Sequence, residues 1–370
     1  MRILVDARHL TAPRLTGVGE CTVRTLRALF ASPDGNEYVL LTTGRRTLPA
    51  DRLGALPPQV SVKHVALPNR LLSLAEALTG RPYLDALAGN GFDAAWLPNL
   101  CLGRVSPGLP YVLTVHDLSW FRHPEWYSWK MRGWHRATRA ETLIRGAKAV
   151  AVPSRHARAD LLAAFPGLPT DRVTVIPHGR GAEFMPRPAP TDSGIRSRYR
   201  LPRRYALFLG TLEPRKNIDG ILAAMAAYRR RTGDDLPLLL VGGDGWGRRP
   251  NIPPWARRID YVAAEHRAAL YRMADVLVWP SFHEGFGLPV LEAMACGTPV
   301  ITSASSSLPE LAGNAAVLVN PHDPEEIASA LEQLRADPAL RRSLAAQGPV
   351  RAAGFSWRAS AEALRRLLVR

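Results

Sequence analysis

Short, almost uninterrupted apolar runs alternate with helix-length stretches along this chain, and the alternation stops once and then restarts. The first block has such runs at 2–6 (RILVD), 38–42 (YVLLT), 60–66 (VSVKHVA), 94–97 (AAWL), 111–115 (YVLTV), 149–152 (AVAV) and 173–176 (VTVI). The second has them at 205–209 (YALFL), 237–241 (PLLLV), 259–262 (IDYV), 275–279 (DVLVW), 299–302 (PVIT) and 316–319 (AVLV). Between the blocks, 186–204 is rich in Pro and Arg and poor in apolar residues, which reads as a linker. A strand without a polar face needs cover on both sides, and a parallel sheet between helices supplies it. A chain of 370 residues also exceeds one ordinary core. The expectation is an α/β protein of two facing Rossmann-like domains, 1–185 and 186–355.

Open parallel sheets bind ligands beyond the carboxyl ends of their strands, so two facing sheets would share a cleft. Five motifs occupy that topological place: TGVGECT (16–22), VHDLSWF (115–121), GTLEPRKN (210–217), GGDGWG (242–247) and SFHEGFGLPVLEAMACG (281–297).

In the last of these, Gly285, Gly287 and Pro289 interrupt any regular helix between Glu284 and Glu292. One carboxylate then belongs to a loop and the other to a helix whose first turn accepts Pro289. The N–H groups of Gly287 and Leu288, with the helix dipole, would form an anion site. Glu292, one turn in, suits a pair of sugar or ribose hydroxyls better than an anion. The plainer alternative is a capped helix carrying two solvated glutamates.

Arg215 and Lys216 stand at a strand-to-helix junction, where the dipole disfavours cations unless an anion joins them. Such a pair can hold a diphosphate and stabilise a departing one. His116 ends an apolar strand beside Asp117, a position equally natural for a core histidine or a substrate contact. Gly17 and Gly19 would let the first helix approach a ligand closely. Residues 120–145 hold four of the nine tryptophans and six cations. Trp120, Trp126, Trp129 and Arg132 are therefore candidates for an acceptor or membrane surface, the alternative being a helix with its tryptophans turned inward.

No D-x-D occurs, and no His, Cys or carboxylate group has metal-ligand spacing, so neither a metal nor another cofactor is expected. Cys21, Cys101 and Cys296 are scattered, no apolar run reaches the roughly 18–20 residues of a membrane span, and the chain opens directly on a strand. A cytoplasmic location without a signal peptide is the expectation. The formal charge is +16, and residues 1–190 carry 24 basic against 14 acidic residues. With no zinc-finger or RNP-type pattern, nucleic acid is not the expected partner, and phosphate-bearing substrates or anionic lipid are.

Taken together, EGFGLPVLEAMACGTPVI (an E-x7-E pattern on Glu284 and Glu292), GTLEPRKN, LVGGDGW, LYRMADVLVWPS and VHDLSWFRHPEWY resemble the retaining GT-B glycosyltransferases of family 4, in its bacterial polysaccharide mannosyltransferase branch. The resemblance runs over nearly the whole chain. It implies that Glu284 contacts the donor sugar, with Gly285, Phe286, Gly287 and Leu288 near sugar and phosphates, and that Glu292 holds the ribose. By the same resemblance Arg215 and Lys216 grip the diphosphate with Gly210 and Thr211 beside them, and His116 and Gly17 meet the transferred sugar. Thr211 stands where some members have arginine, and PHGRGAEF (177–184) replaces a commoner PNGVD type. The resemblance further implies a C-terminal helix, 356–370, crossing back to the N-terminal domain. GDP-mannose is the implied donor, and the implied acceptor is a saccharide or lipid-linked oligosaccharide at the inner face of the plasma membrane, in O-antigen or exopolysaccharide synthesis. A UDP- or dTDP-sugar donor remains open, as do a nucleotide-sugar epimerase and a non-catalytic sugar-nucleotide scaffold.

Overall fold

The structure is a computed structural model that describes residues 1–32 and 34–369. The chain divides into two units, Met1–Trp120 with Trp129–Gly179 and Trp357–Arg370, and Phe121–Ser128 with Arg180–Ser356. The boundary thus falls at Gly179/Arg180 rather than 185/186, and a short segment after Trp120 groups with the second unit.

The first unit contains a seven-stranded sheet of β1 (Arg2–Asp6), β2 (Glu37–Thr43), β3 (Val60–Val65), β4 (Ala94–Leu97), β5 (Tyr111–Thr114), β6 (Ala149–Val152) and β7 (Val173–Val175). The order is β3-β2-β1-β4-β5-β6-β7, and every pairing is parallel. Side chains alternate across it, Ile3 and Val5 entering one core while Leu4 enters the other. The helix Trp357–Val369 covers the face of Ile3 and Val5 with Ala361, Leu364, Leu367 and Leu368. Arg365 fastens it, donating to the carbonyls of Leu29 (3.0 Å) and Ser32 (2.9 Å). The expected C-terminal helix therefore does return to the N-terminal unit; Arg370 lies outside the described residues.

The second unit contains β8 (Ala206–Leu209), β9 (Leu238–Val241), β10 (Ala256–Ile259), β11 (Val276–Trp279), β12 (Val300–Ser303) and β13 (Val317–Val319), ordered β10-β9-β8-β11-β12-β13 and again all parallel. Expected at 259–262, β10 instead lies three residues earlier and shares only Ile259 with that range. It is an edge strand, and edges tolerate charge, so Arg257 and Arg258 sit within it without an apolar signature.

Part of the supposed linker is an ordered helix, Asp192–Tyr199. Ile195 and Leu201 enter the core of the second unit, and Asp192 takes a two-pronged bond from Arg272 at 2.9 and 2.6 Å. Two apolar residues suffice to dock it, too few to stand out against Pro and Arg.

Both sheets reverse strand order once, between β1 and β4 and between β8 and β11. Loops leaving such neighbouring strands diverge and leave a crevice, the usual ligand place in this architecture.

Candidate active site

The loops after β8 and β11 carry the candidate charges and are tied together. Phe282 N–H donates to the Arg215 carbonyl (2.9 Å), and Asn217 Nδ2 donates to the carbonyls of Pro280 (3.1 Å) and Pro321 (2.6 Å). Asn217 adopts a left-handed backbone, φ 59°, and its Oδ1 accepts from Gly220 N–H to cap the helix Ile218–Thr232. The third loop, after β9, closes on the first. Leu212 N–H donates to Gly243 O (3.0 Å) and Gly245 N–H to Leu212 O (2.9 Å). Gly242, at φ +146°, approaches so closely that a Cβ there would lie 2.0 Å from Gly210 O. Gly210 itself is held against Trp279, 2.6 Å from where its own Cβ would stand, and Thr211 is exposed.

These ties set Glu284 between two cations. Lys216 Nζ lies 2.5 Å from Glu284 Oε1, and Arg215 Nη1 lies 3.2 Å from Oε2. Trp279 Nε1 donates to the same Oε1 at 2.9 Å, and the Lys216 ammonium stands 4.8 Å from the centroid of its ring. Glu213 Oε1 lies 2.5 Å from Arg215 Nε. Lys216, Glu213 and Glu284 are all buried. Two carboxylates thus balance two cations, so the pair expected to await a diphosphate is already engaged.

Burial opposes ionisation of Glu284, but the charges of Lys216 and then Arg215 outweigh it and hold the carboxyl below its ordinary value. Burial, reinforced by Arg215, pulls Lys216 below the usual lysine range, with Glu284 and Glu213 opposing. The ion-paired form is the one the geometry supports.

The helix Leu288–Ala295 begins after Gly287, at φ +105°, with Pro289 in its first turn. Gly287 has no side chain with which to cap the helix, leaving its start to the backbone. Ser307 Oγ donates to the carbonyls of Glu284 (2.9 Å) and Phe286 (3.0 Å), and Glu284 N–H donates to Ser306 Oγ (3.0 Å). These bonds fix the Gly285-containing turn. Phe286 directs its ring into the core, 5.7 Å edge-on from Phe355, and Leu288 packs partly against that core. Phe286, buried, thus turns its ring away and offers a ligand its backbone. Glu292 is buried, and its Oε2 accepts from Tyr271 Oη at 2.9 Å.

His116 and Gly17 belong to the first unit. His116 stands two residues beyond β5, and its Nε2 donates to the Pro98 carbonyl (3.0 Å). Burial lowers its pKa, favouring the neutral ring. Gly17 opens the helix Gly17–Phe30 behind the Thr16 cap, and a Cβ there would meet nothing within 4 Å. The aromatic candidates separate. Trp120 stacks on His135 at 5.0 Å in the first unit, and Trp126 stacks on His123 at 4.0 Å in the second. Trp129 is 72% exposed, and Arg132 is exposed.

Sequence reasoning missed Asn217, Tyr271 and Trp279, which orient the charged groups. It also missed an aromatic wall beside Glu284, in which Phe282 stacks on His322 at 4.7 Å and lies 6.1 Å from Trp126. A tryptophan closing an apolar strand five residues before a glutamate was the available signal for Trp279. The other pairings are long-range and left none.

Two family models match the chain, "Glycosyltransferase Family 4" over residues 15–183 and "Glycosyl transferases group 1" over residues 196–351. O-antigen chain mannosyltransferase B of Escherichia coli is 35% identical over 255 residues, covering 66% of each chain. The serotype-specific mannosyltransferase WbdA of the same species is 33% identical over 205 residues, but this chain spans only 25% of its length. A D-inositol 3-phosphate glycosyltransferase of Salinispora tropica is 32% identical over 400 residues, covering 95% of this chain and 81% of that protein. Among solved structures, sucrose-phosphate synthase of Thermosynechococcus elongatus superposes with a TM-score of 0.73 at 22% identity, covering 99% of this chain and 98% of that one. WaaG, a glycosyltransferase involved in lipopolysaccharide biosynthesis, gives 0.70 at 15% identity, covering 100% and 99%. The chain has the GT-B fold and belongs to the family 4 glycosyltransferases, with a mannosyltransferase-like sequence.

Proposed function

We propose that the protein transfers a hexose from a nucleoside diphosphate donor to a saccharide hydroxyl in cell-surface polysaccharide synthesis, with retention at the anomeric carbon. The observation that carries this reading is Glu284 fixed between Lys216 and Arg215, beside a helix start that has no side-chain cap. Arg215, Lys216 and the backbone at Gly287 and Leu288 hold the diphosphate, with Gly210 and Thr211 adjoining it. Glu284 binds sugar hydroxyls, and Glu292, steadied by Tyr271, binds the ribose. His116 and Gly17 serve the transferred sugar. The anomeric carbon–phosphate oxygen bond breaks, the acceptor oxygen bonds to that carbon on the same face, and the acceptor proton passes to the departing phosphate. The protein's part is positioning and charge stabilisation, without a metal on the diphosphate.

The proposed donor is GDP-mannose and the proposed acceptor a lipid-linked saccharide, supported by the mannosyltransferase relatives and by the basic N-terminal half. A second reading, an inositol phosphate acceptor, is favoured by the relative that aligns with 95% of the chain.

The test is a thermal-shift panel of nucleotide sugars followed by NMR of the product, since a ligand of the folded state raises its melting temperature. GDP-mannose should give the largest rise, and the product should keep the donor's anomeric configuration. An inverted product removes retention, and isomerised donor without acceptor makes the protein an epimerase.

A further inference from the structure

Cys21, His116 and His178 are far apart in sequence, yet each offers a ligand atom and these atoms lie within 4.8 Å of one another. All three belong to the first unit. Cys21 comes from the helix Gly17–Phe30, His116 from the segment after β5, and His178 from the unusual PHGRGAEF stretch. The proposed transfer reaction gives neither Cys21 nor His178 a role. Both are buried, and all three line a cavity of about 30 Å³ bounded also by Trp96, Thr114 and Ser360. A space of that size holds a water molecule or an ion.

We propose that these three side chains form a binding site for a transition-metal ion of the zinc class. One thiolate with two imidazoles is a donor set suited to zinc, and water in the cavity completes four-coordination. Tetrahedral zinc sets its sulfur and nitrogen ligands roughly 3.4–3.6 Å apart, so a donor pair near the 4.8 Å limit draws together on binding. The Pro98 carbonyl accepts from His116 Nε2, so Nδ1 is the ligating nitrogen and the ring is already oriented from behind. His178 is braced by Trp357, whose ring stacks at 5.5 Å and 27°. Binding releases the thiol proton to solvent.

The three ligands belong to the first unit, whereas the proposed diphosphate contacts Arg215 and Lys216 belong to the second. The ion would occupy the His116 nitrogen left for a sugar contact, so metal and sugar compete for it. The metal inference itself does not rest on the transferase reading, and its test reads the metal alone.

The full chain, stripped with a chelator, is titrated with Co²⁺ while the near-ultraviolet thiolate-to-cobalt charge-transfer band is followed. The expected result is one equivalent bound with that band, and its discharge by Zn²⁺. Cys21→Ser should lose the band. His178→Gln, which keeps the thiol, should weaken Co²⁺ binding roughly tenfold or more. Circular dichroism establishes that each variant is folded; if one is not, the other decides. Absence of the band in the parent chain overturns the proposal. So does a band that persists in folded Cys21→Ser, which would place the metal on Cys101 or Cys296, or a Co²⁺ affinity unchanged in folded His178→Gln.

Discussion

Lys216 Nζ meets Glu284 Oε1 at 2.5 Å across 68 residues of sequence, and this buried pair joins the loops after β8 and β11. The carboxylate organises the cation, but it also occupies the charge that a diphosphate would use. Glu284→Gln should therefore bind a nucleoside diphosphate without sugar more tightly, while turnover of the full donor falls by roughly 10²–10³. Calorimetric titration and initial rates on the same preparation check both halves. Weaker nucleotide binding together with slower turnover would mean that Glu284 supports the phosphate contacts instead.

Two glycines should respond in opposite ways. Gly242 lies at φ +146° against the Gly210 carbonyl, so Gly242→Ala should cost roughly 1–3 kcal/mol and displace the Arg215–Lys216 loop. Gly17 has ordinary φ and open space beside it, so Gly17→Ala should leave the melting temperature unchanged. If sugar fills that space, its turnover falls roughly tenfold or more. Urea unfolding and rate measurements separate the two effects.

Asp6 should make part of the stability acid-sensitive. Arg8 donates to both its oxygens, at 2.8 and 2.9 Å, and Cys101 Sγ donates at 3.1 Å. Burial opposes ionisation, yet Arg8 prevails and the carboxyl falls from 3.8 to about 2. Because the folded value is the lower one, this contribution is fully present above about 3.8. It disappears as pH falls through about 2 and is worth on the order of 2 kcal/mol. The stability difference between the parent and Asp6→Asn should narrow between about pH 6 and about pH 2.5. A constant difference would contradict the ion-pair account.

The membrane proposal also has a surface to test. No helix among the described residues is long and apolar enough to cross a membrane. However, Leu71, Leu74 and Leu78 are 62, 56 and 74% exposed at helical spacing on Asn69–Thr79, beside Arg70. Vesicles containing anionic lipid should bind the protein, and added salt should weaken the binding. Leu74→Glu should reduce co-sedimentation. Salt-insensitive or absent binding would remove the membrane from the account.

The central strands were legible because burial on both faces writes them as apolar runs, as in RILVD and AVAV. β10 was not, since an edge strand can carry Arg257 and Arg258. The helix Asp192–Tyr199 was lost to its composition. In the candidate site, Arg215, Lys216 and Glu284 could be named from their motifs, but their mutual neutralisation depends on how two strand ends meet. Tyr271 on Glu292 and the convergence of Cys21, His116 and His178 are likewise tertiary pairings with no local periodicity to announce them.

The most direct measurement is the affinity of GDP for the parent chain, Arg215→Ala and Lys216→Ala, each in the presence of a chelator. Binding by the parent should persist, and each substitution should weaken it roughly 10–100-fold, as removal of a charge-assisted contact does. Binding that vanishes with the chelator, or is unchanged in both variants, would contradict a diphosphate held by these two cations.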